Sequence, residues 1–444
     1  MPVTSRENIE KWSLSYQITK WCVDISFRLY FPKKVVGQEK IDFNDILIFA
    51  PNHQNALIDA LAILTMRKWQ PVFLARADIF RKHLLDKILT FLKILPIYRI
   101  RDGYGELQRN NKIFKKTIDV LNNRNGLCIL PEGNHAGVHR LRQLKKGIAR
   151  IAFQAIEASG GQMKIKIVPV GLEYSHYYKF GSPMLVRLGE PFDVSEYYTK
   201  SRENYAVAIK ELVDELAARM KKEMIHIEND MFYDEYNIIR QQGALAVMLR
   251  NRKKVNRANL FEAEKNIITA LNTLQNANEA GFNRLMTLAR TFKLNLTHAR
   301  IEVPIYPSEL KGFGLLLQIP ALLVTLPLFV CGSINSMLPL GVIALISSKI
   351  KDPQFLSSFR YVTGFLLFPL FMLIQTAVFA LVFKNGWQTL FYFIALPISG
   401  LLMQQWRKLF FQTFRQVKLL FIRLTKPTLF GELKNNLKMI SLEL

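Results

Sequence analysis

"DILIFAPNHQNALIDA", residues 45–60, joins an apolar run, a polar turn and the start of a helical pattern. The apolar run predicts a buried strand, and Pro51 disfavours helix at the residue before it. Asn55 is a suitable N-cap for a helix that begins at Ala56. A strand that passes through a short turn into a helix is the repeating unit of an α/β layer. This stretch therefore predicts an α/β fold.

Five further apolar runs follow, and helical patterns separate several of them. The runs are "PVFLA", "ILPIY", "GLCIL", "IKIVPV" and "MLVRLG", and the helical patterns cover about residues 79–92, 106–122 and 146–158. The alternation predicts an α/β domain over residues 40–225, with a mostly parallel sheet flanked by helices. In such a sheet, functional residues collect on the loops at the strand ends.

The polar turn carries His53 and, six positions later, Asp59. In a regular helix this separation would point the two side chains apart, so the chain must bend if they are to meet. A carboxylate on one ring nitrogen would fix the tautomer and leave the other nitrogen free as a base. A structural histidine in a turn is the alternative that this pair alone leaves open.

A second polar turn lies in "ILPEGNHAGVHRLRQLKKGIAR", residues 129–150. A strand end turns through Glu132 and Gly133, and no acidic residue occurs between Gly133 and Gln154. Cationic side chains beside a helix start are typical of a phosphate site, and a solvated basic face is the alternative. In "LPIYRIRDG", Arg99 and Arg101 share one face of an extended strand and can meet the same anion. The basic side chains of the second turn are Arg140, Arg142, Lys145, Lys146 and Arg150.

Four blocks occur in the order His53–Asp59 turn, "LPIYR", "PEG…KKG" and "VPVG", and together they resemble the phospholipid/glycerol acyltransferase family. The likeness covers about residues 40–200. It implies a histidine base that deprotonates an acceptor hydroxyl for attack on an acyl thioester. It also implies an aspartate that orients the histidine, and later blocks that bind the acceptor's phosphate. The resemblance implies no metal or other cofactor, and acyl-CoA or an acyl-carrier protein is the expected donor.

Residue by residue, His53 resembles the base and Asp59 its partner. The positions that resemble the phosphate-binding and supporting residues are Arg99, Glu132, Gly133 and Pro169. Five residues separate His53 from Asp59, where the commoner family pattern has four. The longer spacing resembles the branch that acylates glycerol 3-phosphate or dihydroxyacetone phosphate. Asn134 and His135 replace the family's Thr/Ser-Arg and are expected to bind substrate. The candidates to replace that arginine, by charge, are Arg140, Arg142 and Lys146.

Three stretches without charged residues, 312–348, 361–383 and 385–406, predict transmembrane hairpins within residues 311–406. The first is nearly long enough for two short spans, with a break expected near "CGSINSMLP". Basic residues follow the first and third stretches, so the positive-inside rule predicts cytoplasmic termini, with Lys384 facing outward. Residues 226–310 read as a helical region, and residues 407–444 as a basic amphipathic tail.

Residues 1–39 are expected to contribute an amphipathic membrane-interface helix, because aromatic residues interleave with Lys and Arg from residue 8 to residue 31. The alternative is a helix that docks on the catalytic domain through its aromatic face. The three cysteines, Cys22, Cys128 and Cys331, show no pairing pattern. Free thiols and no metal site are therefore expected.

The sequence predicts a membrane-bound O-acyltransferase with its catalytic domain on the cytoplasmic face. It would transfer a fatty acyl group to glycerol 3-phosphate or dihydroxyacetone phosphate; lysophosphatidate is the alternative acceptor. The altered third block also permits a catalytically inert lipid-binding membrane protein. The net charge of +25 would suit nucleic acid. However, no aromatic-basic binding motif occurs, so the expected partners are membrane lipids and the two substrates, without nucleic acid.

Overall fold

The strand, turn and helix predicted at residues 45–60 are present in the computed structural model of the chain. The structure describes residues 6–98, 109–135, 137–306, 309–310 and 314–442. These residues divide into two compact units. The first combines Met1–His226 with the short segment Asp352–Ser358, and the second combines Ile227–Lys351 with Phe359–Leu444.

The first unit is built on an eight-stranded sheet, which confirms the predicted α/β class. Its strand order is β1-β7-β6-β2-β5-β3-β4, and β8 pairs separately with β6. All pairs are parallel except those of β6 with β7 and with β8. The strands are β1 (Lys33–Val36), β2 (Ile46–Pro51), β3 (Val72–Arg76), β4 (Ile94–Ile97), β5 (Leu127–Ile129), β6 (Ile165–Tyr174), β7 (Met184–Leu188) and β8 (Phe192–Asp193).

In the described part of this unit, seven α-helices flank the sheet or connect its strands. They are α1 (Leu14–Tyr30), α2 (Leu57–Leu64), α3 (His83–Phe91), α4 (Arg109–Asn122), α5 (Gly147–Ala158), α6 (Ser195–Ser201) and α7 (Tyr205–Glu223). The buried side chains of α5 and α7 form one core with the strands, as Phe153 and Leu212 illustrate. Because helices cover the sheet, its central strands are apolar along nearly their whole length, and nine of the ten residues of β6 are buried.

All six apolar runs read as strands are strands, but the predicted start of α2 is wrong. The helix begins at Leu57, and the Asn55 side chain caps nothing there. Instead, the Asn55 amide donates to the carbonyl of Tyr177. Ala56 adopts φ 44° and ψ −123°, a conformation that residues with a Cβ rarely take. The helix therefore begins one residue later than predicted. The chain enters it through an unusual backbone conformation at Ala56, which an ordinary N-cap residue does not adopt.

Helix α1 has two apolar faces. They relate to the two alternatives predicted for residues 1–39, docking on the domain and lying at a membrane interface. One face is buried in the first unit and includes Tyr16, Phe27 and Tyr30. The opposite face is exposed and contains a stripe at helical spacing. The exposed side chains are Leu14, Ile18, Trp21, Ile25 and Leu29. Docking on the domain is thus observed for one face, and a membrane-interface role for the other remains a prediction.

The second unit contains eight α-helices in the part that the structure describes. They are α8 (Tyr233–Arg250), α9 (Arg257–Ala277), α10 (Glu279–Ala299), α11 (Leu315–Val324), α12 (Leu326–Ser348), α13 (Leu356–Phe383), α14 (Gly386–Thr425) and α15 (Pro427–Leu442). Among the described residues, three helical segments are long and apolar enough to cross a membrane. These are Leu326–Ser348, Pro353–Phe383 and Gly386–Thr425.

The apolar region departs from the prediction in two places. The break expected near "CGSINSMLP" is wrong, because α12 continues through it, and the break falls at Thr325 instead. Pro327 lies in the first turn of α12, where a missing N–H removes no hydrogen bond, so a helix starts readily there. Helix α14 has 40 residues and continues beyond residue 407, the predicted start of the tail. The predicted orientation and number of membrane crossings remain predictions.

Candidate active site

His53 and Asp59 meet at the carboxyl end of β2. His53 lies two residues beyond the strand, and Asp59 lies in the first turn of α2. The Nδ1 atom of His53 is 2.8 Å from Oδ2 of Asp59. The Asp59 side chain is fully buried, whereas 16% of the His53 side chain is exposed. The pair therefore has a buried carboxylate on one side of the ring and an accessible edge on the other.

The bend at Ala56 is what brings these two residues together. It folds the start of α2 back over the turn, so that the backbone N–H groups of Gln54 and Asn55 both donate to Oδ2 of Asp59, at 2.7 Å each. The positive end of the helix dipole also favours a carboxylate in the first turn. The contact between His53 and Asp59 thus depends on one strained backbone position.

Tyr174, at the end of β6, completes the surroundings of Asp59. Its hydroxyl donates to Oδ1 of Asp59 at 2.6 Å. Burial, together with the nearby Asp59 carboxylate, raises the pKa of Tyr174 well above its ordinary value, so the phenol keeps its proton. Asp59 therefore accepts three hydrogen bonds besides its contact with His53. Our sequence analysis missed Tyr174, although it ends the strand that carries the fourth block.

The remaining polar residues of the turn are also paired. Asn52 exchanges hydrogen bonds with the backbone of Leu172 on β6, at 2.6 and 3.2 Å. Gln54 donates to the carbonyl of Val138 and accepts from the hydroxyl of Tyr177. Among the described residues, Nε2 of His53 has no hydrogen-bond partner. A base held rigidly through Nδ1 and open at Nε2 is the arrangement that general-base catalysis needs.

Glu132 joins the first turn to the basic segment. One carboxylate oxygen accepts from the backbone N–H of His53 at 2.7 Å, and the other accepts from that of Arg142 at 3.1 Å. Burial raises the pKa of Glu132 to about 7, against the opposing effect of these two donors. Gly133, with φ 66°, makes the left-handed turn that follows. Glu132 thus links the backbone of the His53 turn to that of the basic segment.

Asn134 and His135 follow this turn. Asn134 is exposed, and the His135 ring lies 5.2 Å from the His53 ring between centroids, at 86°. Gln354 forms a hydrogen bond through Oε1 with Nδ1 of His135, and the ring of Phe355 packs at 4.6 Å and 90° to it. The structure therefore brings His135 beside His53, with help from a segment more than 200 residues away in sequence.

The predicted cations lie on the same segment, mostly at its surface. The guanidinium of Arg142 donates to the carbonyl of His135 at 3.3 Å. Arg142 and Lys146 are exposed and form no ion pair with a described residue, and Arg140 is half-buried. His226 Nδ1 accepts a hydrogen bond from the Leu141 N–H of this segment, and His139 Nδ1 lies 3.4 Å from Oε2 of Glu173. Arg99 lies outside the described residues.

Part of this chain resembles known acyltransferases. Residues 33–173 match the family model described as Acyltransferase. Glycerol-3-phosphate O-acyltransferase 2 of Saccharomyces cerevisiae is 31% identical over 137 residues, which cover 31% of this chain and 18% of the relative. Glycerol-3-phosphate O-acyltransferase 1 of the same yeast is 29% identical over 108 residues, covering 24% and 14%. The chain thus spans less than a fifth of the length of either relative.

A solved structure from Thermotoga maritima, of the 1-acyl-sn-glycerophosphate acyltransferase PlsC, covers 46% of this chain and 80% of its own. It is 18% identical to this chain, with a TM-score of 0.30. The family match and the yeast relatives confirm the acyltransferase family that the four blocks predicted. The family match covers both the His53 turn and the third block.

Proposed function

We propose that this chain, whose residues 33–173 form an acyltransferase domain, transfers a fatty acyl group from an acyl thioester to the hydroxyl of glycerol 3-phosphate or dihydroxyacetone phosphate. The donor would be acyl-CoA or an acyl-carrier protein. The observation that carries the proposal is the His53–Asp59 pair, in which a fully buried carboxylate anchors a histidine whose Nε2 is open. The three long apolar helices support a membrane location, and we propose the cytoplasmic face for the catalytic domain.

In this reaction Nε2 of His53 removes the proton of the acceptor hydroxyl as its oxygen attacks the thioester carbonyl carbon. The resulting tetrahedral intermediate collapses by breaking the carbon–sulfur bond. The proton on His53 then passes to the leaving thiolate, so the enzyme returns to its starting state. Asp59 stabilises the imidazolium that forms in between and holds the ring in place.

The acceptor's phosphate would meet the basic segment that begins at the third block. Arg142 and Lys146 present exposed cations there, and Arg140 lies between them and the His53 turn in sequence. By resemblance to the family, Arg99 supplies a further phosphate ligand. Glu132 supports both halves of the site, because it accepts hydrogen bonds from the backbone of His53 and of Arg142. Phosphate binding by several cations is expected to weaken as salt is raised.

An assay of the full chain in detergent or nanodiscs tests the acceptor. Radiolabelled glycerol 3-phosphate, dihydroxyacetone phosphate and lysophosphatidate are supplied in turn with acyl-CoA or acyl-carrier protein. The wider His53–Asp59 spacing and the names of the two yeast relatives favour the unacylated acceptors. A higher kcat/KM for lysophosphatidate would assign the alternative acceptor instead.

Replacing His53 with Ala separates an enzyme from an inert lipid-binding protein. We expect transfer to fall by about 10³-fold or more, because general-base catalysis typically contributes 10²–10⁴-fold. Expression and thermal stability should stay close to those of the unmodified chain. His298→Ala, at an exposed position near the end of α10, is the matched control and should keep full activity. Equal activity of the two variants would rule out the mechanism.

A further inference from the structure

The segment Asp352–Ser358 belongs to the first unit, although it is flanked in sequence by the long apolar helices of the second. It forms a short 3-10 turn, Pro353–Phe355, and the first residues of α13. The Asp352 side chain caps this turn by accepting from the Gln354 N–H at 3.0 Å. The chain therefore places a defined structural element, and not only a connecting loop, against the acyltransferase domain.

Two serines anchor this segment to the His53 turn. The hydroxyl of Ser357 donates to the carbonyl of Tyr177 at 2.6 Å, and the same carbonyl accepts from the Asn55 amide at 3.0 Å. The backbone N–H of Leu57, the first residue of α2, donates to the Ser358 hydroxyl at 3.2 Å. Ser358 therefore satisfies one of the N–H groups that a helix start leaves without a partner. These contacts fix the segment next to the site.

From this position the segment holds His135. Nδ1 of His135 is bonded to Oε1 of Gln354, and the perpendicular ring of Phe355 restricts the plane of the imidazole. His53 and His135 are thus two neighbouring imidazoles, each anchored through Nδ1. In both, Nε2 forms no hydrogen bond with a residue that the structure describes. The partners differ: His53 is anchored on a carboxylate and His135 on a neutral carboxamide.

We infer that Gln354 is a positioning residue for the acyl acceptor, because it orients His135 so that the protonated imidazole binds the acceptor's phosphate through Nε2. The inference rests on the proposed function and names a part of its site that lies outside the acyltransferase match. A carboxamide oxygen accepts only from Nδ1–H, so it keeps that proton in place, and a second proton at Nε2 then makes the ring a cation. His135 stands where the family has an arginine, and Arg142, bonded to the His135 carbonyl, adds a second cation to the same turn.

Steady-state kinetics with glycerol 3-phosphate, measured from pH 6 to pH 9, test this role. We expect Gln354→Leu to raise the KM for the acceptor by about tenfold, the effect of losing one hydrogen bond of ordinary strength, while kcat stays within about twofold. Gln354→Glu places a carboxylate on Nδ1, which favours the protonated ring. In that variant the rise of KM with pH should move to higher pH, and in Gln354→Leu to lower pH.

Gln162 provides matched controls, because it is exposed in the loop before β6 and its side chain has no hydrogen bond with a described residue. Gln162→Leu and Gln162→Glu should leave KM and its pH dependence unchanged. His135→Arg, which restores a permanent cation, should keep KM low across the pH range, and adding Gln354→Leu to it should change KM by less than twofold. The double variant also separates a loss of positioning from a loss of folding.

Two results would overturn the inference. In the first, Gln354→Leu lowers kcat and leaves KM unchanged, which would place His135 on the reacting acyl group. In the second, Gln354→Glu and Gln354→Leu show the same pH profile, which would reduce Gln354 to a packing residue. Failure of the proposed function looks different: the unmodified chain would then acylate no glycerol phosphate at all.

Discussion

The turn after β2 and the turn after β5 each present one histidine to the site, but they are held in different ways. The first turn is anchored by Asp59 of α2, by Tyr174 at the end of β6 and by the backbone of β6. The second carries the exposed Asn134 and a His135 that is held by Gln354, from the distant segment. The proposed base, His53, is therefore held by the strands and helix around it, whereas the neighbouring His135 is held by the distant segment Asp352–Ser358.

This difference predicts where mutations act. Hydrogen bonds to a buried charge contribute about 1.5–3 kcal/mol each, whereas exposed polar contacts contribute much less. Changes around Asp59 should therefore reduce kcat strongly and can cost stability as well. Changes around His135 should alter the affinity for the acceptor and leave the chemical step nearly intact.

Asp59→Asn should have the largest effect, lowering kcat by about 10³-fold. Asn presents one oxygen and one NH₂ group, so it cannot accept from Tyr174, Gln54, Asn55 and His53 together. The amide would also not stabilise an imidazolium. The measurement is kcat with saturating glycerol 3-phosphate. Asp45→Asn, which removes a surface ion pair with Lys166, is the control; comparable losses in the two variants would contradict the role of Asp59.

Glu132→Gln tests the link between the two turns and should lower kcat/KM by about ten- to a hundredfold. The Gln oxygen can accept from the backbone of His53 or from that of Arg142, and its NH₂ group then faces the other donor. An unsatisfied buried N–H costs about 1–3 kcal/mol. If kcat/KM were unchanged, the connection through Glu132 would have no influence on catalysis.

Glu132→Gln should also differ from the unmodified chain in how its stability depends on pH. Burial raises the pKa of Glu132 from 4.5 to about 7, so the folded state favours its protonated form. Its contribution to the free energy of unfolding is therefore greatest below about pH 4.5 and declines as the pH rises towards 7. The Tm of the unmodified chain should fall, relative to that of Glu132→Gln, between pH 5 and pH 8. Glu157→Gln, on the exposed side of α5, should show no such trend; parallel Tm curves for all three proteins would argue against a titrating Glu132.

Tyr174→Phe should have a smaller effect on catalysis, about tenfold in kcat. It removes one donor from Asp59 and leaves the contact with His53 and the two backbone donors in place. The lost bond to a buried carboxylate should also lower the free energy of unfolding by about 1.5–3 kcal/mol. Kinetics and thermal unfolding of the variant measure both. Tyr205→Phe, at an exposed position, is the matched control. If Tyr174→Phe changed kcat and the free energy of unfolding no more than this control does, Tyr174 would have no role in the site.

The sheet could be predicted because its central strands are covered by helices and are therefore continuous apolar runs, such as "IKIVPV" in β6. His53 and Asp59 could also be selected as candidates, from the turn after a strand together with the resemblance of the four blocks to the acyltransferase family. A bend that lets them meet could be expected, but its position could not, because it depends on the backbone of Ala56, and φ 44° is not encoded by the residue type. Periodicity and propensity describe neighbours along the chain, and this bend is an exception imposed by packing.

The two residues that complete the site, Tyr174 and Gln354, could not be predicted from the sequence, for a different reason. Tyr174 is 115 residues from Asp59, and Gln354 is 219 residues from His135. Neither lies in a pattern that distinguishes it from an ordinary strand end or loop. Gln354 is part of the short polar interruption between two apolar stretches, which we read as a connection between membrane segments. Only the folded chain shows that this interruption belongs to the catalytic unit.

The smallest expected effect concerns the strained residue that makes the first turn possible. Ala56→Gly should raise the free energy of unfolding by about 1 kcal/mol, because glycine adopts φ 44° without the steric cost of a Cβ, and this relief exceeds its larger loss of backbone entropy. Since the hydrogen bonds to Asp59 come from Gln54 and Asn55, kcat should change by less than twofold. Thermal unfolding and acyl-transfer kinetics measure the two quantities. Gly147→Ala is the reverse control, because Gly147 lies at the start of α5 with open space around it. The added methyl group should therefore not lower the free energy of unfolding. A destabilised but catalytically normal Ala56→Gly variant would mean that the bend is set by packing around the Ala56 methyl group and carries no backbone strain.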